Sequence, residues 1–237
     1  MSGELRVFSD AETLARETAQ WLCAKARAAT GRFTICCSGG STPKRLYELL
    51  GQKNIAAQFP WERVHWFWGD ERFVPHDHPD SNYRMTREAL LAHAPAPPQN
   101  VHAGPTESLT PEQSAAGYEQ TLRDYYGAAT LDPARPLFDV ILLGIGEDGH
   151  TASLFPGQPT LDETQRWVAA VTGTGSEARI TLTYPALDSS HVAVFLAVGD
   201  KKRAAVRRAR SGDRALPSAR VKPIGTLYWF VDRAASP

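Results

Sequence analysis

Apolar residues recur along this chain in two patterns that alternate with one another. Short runs at Phe33–Cys37, Val64–Trp68 and 138–143 are apolar at nearly every position, as expected of strands buried on both faces. Between them the apolar spacing lengthens to that of a helix. Leu14, Thr18, Trp21 and Leu22 predict a helix over 10–29, opened by the Ser9-Asp10-Ala11-Glu12 capping-box pattern. Leu46, Leu49 and Leu50 predict a second helix, with Thr42 as N-cap and Pro43 at its first position. Further helices are expected near 82–92 and from Thr110 to about Tyr126. Later strands are expected at 167–171, 179–183, 192–198 and 226–231, with a helix over 200–210 between the last two.

Strands alternating with helices in this way predict an α/β fold, a mostly parallel sheet covered by helices on both faces. Ala94-Pro-Ala-Pro-Pro98 interrupts the pattern, but the interruption is short and the alternation resumes. The expectation is therefore a single domain over 1–237.

Composition narrows the partners. Hydrophobic residues make up 42% of the chain, enough for a packed core. Lys plus Arg equals Asp plus Glu at 26 each, so no overall field draws the chain to nucleic acid or a membrane. One local run, 200–214, carries a net +5. It lacks the interleaved aromatics of a single-strand binding surface and reads as the exposed face of a helix and its following loop. The three cysteines are odd in number, two are adjacent, and none has zinc-like spacing, so reduced thiols in a cytoplasmic protein are expected. No apolar run reaches membrane-spanning length, and the first residues lack a signal-peptide core.

Candidate chemistry gathers at strand ends. Ser38-Gly39-Gly40-Ser41-Thr42-Pro43 joins a strand to a helix with small residues, free backbone N–H groups and two hydroxyls. That suits an anion, although an ordinary capped turn would look the same. Asp70-Glu71-Arg72 offers a carboxylate and a guanidinium, or simply a surface ion-pair cluster. His76-Asp77-His78 reads as a solvated turn rather than a metal site, with no third ligand in view. Gly144-Ile145-Gly146-Glu147-Asp148-Gly149-His150 delivers a histidine into a glycine-rich loop, and either Asp70 or Asp148 could orient it as a general base. A structural histidine capping a nearby carbonyl remains open. Arg179 and Lys202 open a strand and a helix, where each could reach an anion or simply be solvated.

Taken in order, these segments resemble the 6-phosphogluconolactonase family, within the glucosamine/galactosamine-6-phosphate isomerase superfamily. The matching stretches are Ser38 to Pro43, Trp68-Gly-Asp-Glu-Arg-Phe-Val-Pro75, Asp80-Ser-Asn-Tyr-Arg84, and Leu143 through Asp-Gly-His150 to Pro156. Arg179-Ile-Thr-Leu-Thr183, the turn from Gly199 to Lys202, and Tyr228-Trp-Phe-Val-Asp232 follow. The resemblance implies a three-layer sandwich like that of sugar-phosphate isomerases. It also implies hydrolysis of 6-phosphoglucono-δ-lactone, with no metal or organic cofactor. Carried onto this chain, His150 would be the base. Gly39, Gly40, Ser41, Thr42, Arg179 and Lys202 would hold the phosphate, with Asp70 and Arg72 beside the sugar. Two adjacent lysines stand where one is expected, so Lys201 competes with Lys202.

A monomer or weak homodimer is expected, with no nucleic-acid or membrane partner. Two rivals stand beside this expectation, a sugar-phosphate isomerase or deaminase on the same fold and a non-catalytic sugar-phosphate sensor. The segment from Thr151 to Pro156 contains no glutamate, which leaves an isomerase one acid–base group short.

Overall fold

The computed structural model describes residues 3–107, 110–173 and 177–237. Six strands form a wholly parallel sheet: β1 (Glu4–Phe8), β2 (Phe33–Cys37), β3 (Val64–Trp68), β5 (Phe138–Gly144), β8 (Ser190–Ala197) and β9 (Thr226–Asp232). Their order across the sheet is β1-β9-β8-β5-β2-β3. From β2 the chain winds outward to β3, and from β5 it winds the opposite way to β8 and β9. The reversal falls between β2 and β5. A crevice opens at such a switch point beyond the carboxyl ends of the strands, and ligands of α/β sheets bind there.

Side chains alternate between two cores, because successive residues of a strand point to opposite faces. On one face Ile35, Cys37, Trp66, Val140, Leu142 and Val194 pack under α1 (Ala11–Ala28), α2 (Ser41–Leu50) and the short α3 (Lys53–Ala56). On the other, Cys36, Phe67, Ile141, Leu143, Phe195 and Trp229 pack under α5 (Pro111–Tyr126), α6 (Tyr184–Asp188) and α7 (Arg203–Arg210). Both faces of the parallel sheet are thus covered, as the apolar runs predicted. The Trp229 and Phe195 rings stack 4.2 Å apart on that second face.

Several local expectations are corrected. Strands β6 (Val168–Val171) and β7 (Arg179–Leu182) do not join the parallel sheet. With β4 (Asp70–Arg72) they form a separate antiparallel sheet, ordered β4-β7-β6. Asp70–Arg72 is therefore a strand rather than a loop. Single-residue spacing could not reveal this, because a three-residue strand shows no period. Strand β1 was not foreseen, since Val7 lies 48% exposed and the segment carries charges at an edge. Asp10, not Ser9, caps α1, its carboxylate accepting the Thr13 N–H at 2.7 Å. Gly40, not Thr42, caps α2, which places Pro43 third in the helix, still among the N–H groups that need no partner. The helix near 82–92 is α4 (Asn82–Thr86) running into a wider turn at Arg87–Leu91. Thr110 caps α5 in a reciprocal capping box with Gln113, where a helix start was expected.

Two tyrosines fix the strand ends that face the crevice. The Tyr47 hydroxyl accepts from Ser38 N at 3.0 Å and donates to Ser38 O at 2.9 Å. From the opposite face, Tyr118 Oη accepts from Trp68 N at 2.8 Å and donates to Trp68 O at 2.9 Å. Each hydroxyl replaces a missing ladder partner where its strand leaves the sheet.

Candidate active site

A cleft of about 210 Å³ lies at the switch point, where Ser38 follows β2 and Gly144 ends β5. Its walls include Gly39, Gly40, Asp70, Arg72, Asn82, Gly146, His150, Arg179 and Lys202. Residues far apart in sequence therefore meet, those of the 38–40 and 144–150 loops from the ends of parallel strands and Arg72 and Arg179 from the small antiparallel sheet. Ser41 and Thr42 lie in the first turn of α2 and are not among the walls, although the N-terminal end of that helix borders the cleft.

The His150 loop is held by its own backbone. Gly146 N donates to His150 O at 2.9 Å, and Gly149 N donates to Gly146 O at 3.1 Å. A Cβ at Gly146 would overlap both His150 Nδ1 and Asp148 Oδ1, so only glycine lets these side chains fold back over the turn. Asp148 Oδ1 accepts from His150 N at 3.1 Å and lies 2.6 Å from His150 Nδ1. A carboxylate only accepts, so Nδ1 carries the hydrogen and Nε2 keeps its lone pair. Partial burial pushes the Asp148 carboxyl up, but its bonds from the His150 N–H and ring outweigh this and hold it below its ordinary value. The sequence left Asp70 and Asp148 as alternatives for orienting His150, and Asp148 is the one in contact.

Asp70 is engaged elsewhere. Its Oδ2 accepts from Ser153 Oγ at 2.6 Å, and the Asn82 amide donates to its main-chain oxygen at 3.0 Å. Ser153 reaches it because the chain turns sharply after His150, with Ala152 in the left-handed region at φ 48°. Beside Asp70, Glu71 points inward. Its Oε1 accepts from Arg72 N at 2.8 Å and Asn82 N at 2.7 Å, while Oε2 accepts from Tyr83 N at 2.7 Å and Ser81 Oγ at 3.0 Å. Burial pushes the Glu71 carboxyl up against the pull of these donors. The same Asn82 amide packs so closely on Gly39 that a Cβ there would overlap it. Thus Glu71 holds Asn82, and Asn82 ties Asp70 to the Gly39 loop.

Three cations complete the cleft. Arg72 and Arg179 are direct cross-strand partners in β4 and β7. Like charges set opposite one another in an antiparallel pair repel. Among the described residues, none of Arg72, Arg179 and Lys202 has a carboxylate within salt-bridge distance. The Nε of each arginine is buried without a hydrogen-bond partner. Arg72 Nη1 donates to Asp80 O at 2.7 Å, and Arg179 lies 5.5 Å from the Phe155 ring, which also packs 4.6 Å from the His150 ring. Of the two adjacent lysines, Lys202 lines the cleft and Lys201 is exposed outside it. Such a cluster of unpaired cations, beside a helix N-terminus, suits an anionic ligand.

His76 and His78 are apart from this cleft: His76 Nε2 lies 2.9 Å from Gly104 O, and His78 sits 3.7 Å from Asp80. Among the described residues no group of three His, Cys, Asp or Glu side chains could hold a metal ion. No helix of the described residues is long and apolar enough to cross a membrane. Asn82, Glu71, Ser153 and Phe155 were given no role from sequence. All four fall inside segments that carry the family resemblance, which was the one signal for them.

Residues 9–229 match the model of a family described as glucosamine-6-phosphate isomerases/6-phosphogluconolactonase. A 6-phosphogluconolactonase of Nostoc sp. is 44% identical over 209 residues, covering 86% of this chain and 84% of that protein. The rat (Rattus norvegicus) 6-phosphogluconolactonase is 36% identical over 99% of this chain and 93% of its own length. The crystal structure of 6-phosphogluconolactonase from Thermotoga maritima superposes with a TM-score of 0.83 at 30% identity, covering 97% of this chain and 99% of that one. With its parallel sheet, its switch-point cleft and these relatives, the chain belongs to the glucosamine-6-phosphate isomerase/6-phosphogluconolactonase family.

Proposed function

We propose that this protein hydrolyses 6-phospho-D-glucono-1,5-lactone to 6-phosphogluconate, the lactone-opening step of the oxidative pentose phosphate pathway. One observation carries the proposal: His150, held through Nδ1 by Asp148, shares a single cleft with Arg72, Arg179 and Lys202, three cations without a carboxylate partner among the described residues. A phosphorylated, electrically neutral ring matches that division. The phosphate settles among the cations, and the lactone carbonyl is presented to the histidine.

A lactone carbonyl is already electrophilic, so the site needs an activated water rather than a covalent nucleophile. His150 Nε2 takes a proton from the water as its oxygen attacks C1, and the charge moves onto the carbonyl oxygen. When the tetrahedral adduct collapses, the C1–ring oxygen bond breaks and the imidazolium returns the proton to the departing oxygen. Positioned acid–base catalysis of this kind contributes about 10²–10⁴-fold. Asp148 favours the charged ring during the step, and the phosphate grip converts remote binding energy into orientation of the carbonyl. Arg179 and Lys202, with the Gly39–Gly40 turn, form the phosphate grip, while Asp70 and Arg72 border the sugar.

The isomerase or deaminase alternative lacks support from the loop after His150, which carries no acid through Pro156. The reading takes the whole chain as one domain acting in the cytoplasm as a monomer or weak homodimer. Cys23, Cys36 and Cys37 are all free and buried, in keeping with a reducing compartment.

The test is lactone hydrolysis corrected for spontaneous opening, with His150→Ala alongside and glucosamine 6-phosphate as a control substrate. Blank-corrected hydrolysis that falls at least about 10²-fold in the variant is expected. Near wild-type turnover by His150→Ala removes the base assignment. Ammonia release from glucosamine 6-phosphate, without lactone hydrolysis, would establish the deaminase instead. Lactone decay at the blank rate in the unaltered protein would leave only a sensor.

A further inference from the structure

A second pocket, about 430 Å³ and separate from the cleft, lies between the end of α7 and the first residues of β9. Arg210, Arg214 and Lys222 line it, and no Asp or Glu does. Among the described residues none of the three cations has a carboxylate within salt-bridge distance. Neighbouring acids are otherwise occupied: Asp213 pairs with Arg208 at 2.8 Å, and Asp188 accepts the Lys222 backbone N–H at 2.7 Å.

Trp229 and Ser218, each 1% exposed, form part of the same wall. The Trp229 Nε1–H, the Ser218 hydroxyl and the Arg210 Nε–H are buried without a hydrogen-bond partner among the described residues. Buried donors are normally paired, so three such groups around one pocket call for an acceptor from outside the chain. The carbonyls at the end of α7 do not supply it, since Arg207 O, Arg208 O and Ala209 O take the N–H groups of Ser211, Asp213 and Gly212. Val221, Ala219 and Leu227 give the remaining wall an apolar character, and a pocket of this size accommodates a small organic molecule.

We propose that this pocket binds a small phosphorylated molecule, its phosphate held by Arg210, Arg214 and Lys222 and by the unpaired donors of Trp229 and Ser218. The pocket is also joined to the catalytic loop. Ser218 N donates to Gly149 O at 3.0 Å, one residue before His150. In parallel, α7 begins immediately after Lys202 in the cleft and ends on Arg210 in the pocket, a span of about 12 Å for its length. Occupation of the pocket therefore bears on both sides of the cleft, through the Ser218 turn and through α7.

The experiment isolates the pocket by silencing the cleft. Arg179→Ala/Lys202→Ala protein is titrated with inorganic pyrophosphate by calorimetry at fixed ionic strength, with chloride as the balancing salt. One saturable site is expected to survive in that background. Adding Arg210→Ala/Lys222→Ala is expected to weaken it at least about tenfold, the scale of a lost charge-assisted contact. Arg214→Gln, at an exposed position, is the milder variant should the double one fail to fold, and it is expected to weaken binding in the same sense. The indole proton of Trp229, identified by its loss in Trp229→Phe, should shift in nitrogen-correlated NMR spectra as pyrophosphate is added. No saturable binding in the cleft-silenced protein overturns the proposal. So does binding that persists unchanged in the pocket variants, or that leaves the Trp229 indole signal in place. Because the readout is binding in a protein without a working cleft, it stands apart from whether the lactone is the substrate.

Discussion

Replacing Asp148 by asparagine separates the charge of this residue from its geometry. In the structure Asp148 Oδ1 faces two hydrogens, those of His150 N at 3.1 Å and His150 Nδ1 at 2.6 Å. An asparagine amide turned the other way would set NH₂ against the His150 backbone N–H. The amide oxygen is therefore held in the position of Oδ1, and Nδ1 keeps its hydrogen. What disappears is the attraction between a carboxylate and the imidazolium formed as water is deprotonated. With charge centres about 4 Å apart, that attraction is worth about 1 kcal/mol in water and about 4 kcal/mol at an effective dielectric of 20. The Asp148 side chain is 50% exposed and that of His150 33%, so screening places the value in the lower half, about 1–2.5 kcal/mol. The expected result is a fall in kcat of about 5- to 70-fold, with KM nearly unchanged because the cations proposed to grip the phosphate are untouched. Initial rates of acid release from fresh lactone, with the blank subtracted at each concentration, provide the measurement. A kcat within about twofold of the parent would show that the carboxylate does not act on the charged ring. A loss near 10⁴-fold would show instead that the amide flips and the tautomer is lost, contrary to the backbone contact described.

Other substitutions probe the scaffold. Glu71→Gln should destabilise the fold by about 1–3 kcal/mol, because its NH₂ fits best against Ser81 Oγ and leaves Tyr83 N without an acceptor. KM should rise as Asn82 loosens, and an unchanged urea midpoint would contradict this account. Tyr47→Phe should cost about 1–3 kcal/mol by leaving Ser38 N and O unpaired where β2 ends, and a thermal midpoint equal to the parent's would count against that role. Burial pushes Asp188 up to about 6, against the Lys222 N–H and charge. Because its folded value lies above its unfolded one, its stabilising share is complete at pH below about 4 and is lost as pH rises through about 6. Asp188→Asn, which keeps an acceptor for Lys222 N, should therefore stabilise the protein by up to about 3 kcal/mol near pH 8 and by little near pH 4. Equal gains at both pH values would rule out the titration as the cause.

The sequence made the buried parallel strands plain because they are apolar on both faces, and the glycine-rich loops after β2 and β5 were legible at their ends. His150 and Asp148 were legible because glycines mark the turn that folds them together. The second sheet was not legible. Strand β4 is too short to show alternation, β6 is apolar at every position like a central strand, and the alternation of Arg179-Ile180-Thr181-Leu182 in β7 marks a strand without saying which sheet it joins. Nor could spacing choose between Asp70 and Asp148. That choice depends on the left-handed turn at Ala152, which sends Ser153 to Asp70. Lys202 was separated from Lys201 only by the pitch of the short 3₁₀ turn at Asp200–Lys202.

Gly69 continues the ladder of the large sheet by donating to Cys37 O at 2.9 Å, and its own carbonyl accepts from Leu182 of the small sheet at 2.8 Å. At that one residue the chain passes from one sheet to the other. Arg72 and Arg179 thus ride on a unit distinct from the strand that carries the histidine loop, yet are welded to it. Such an arrangement lets the loop after β5 be rewritten while the two arginines keep their places on the small sheet, so the histidine and the cations of the cleft can be altered independently.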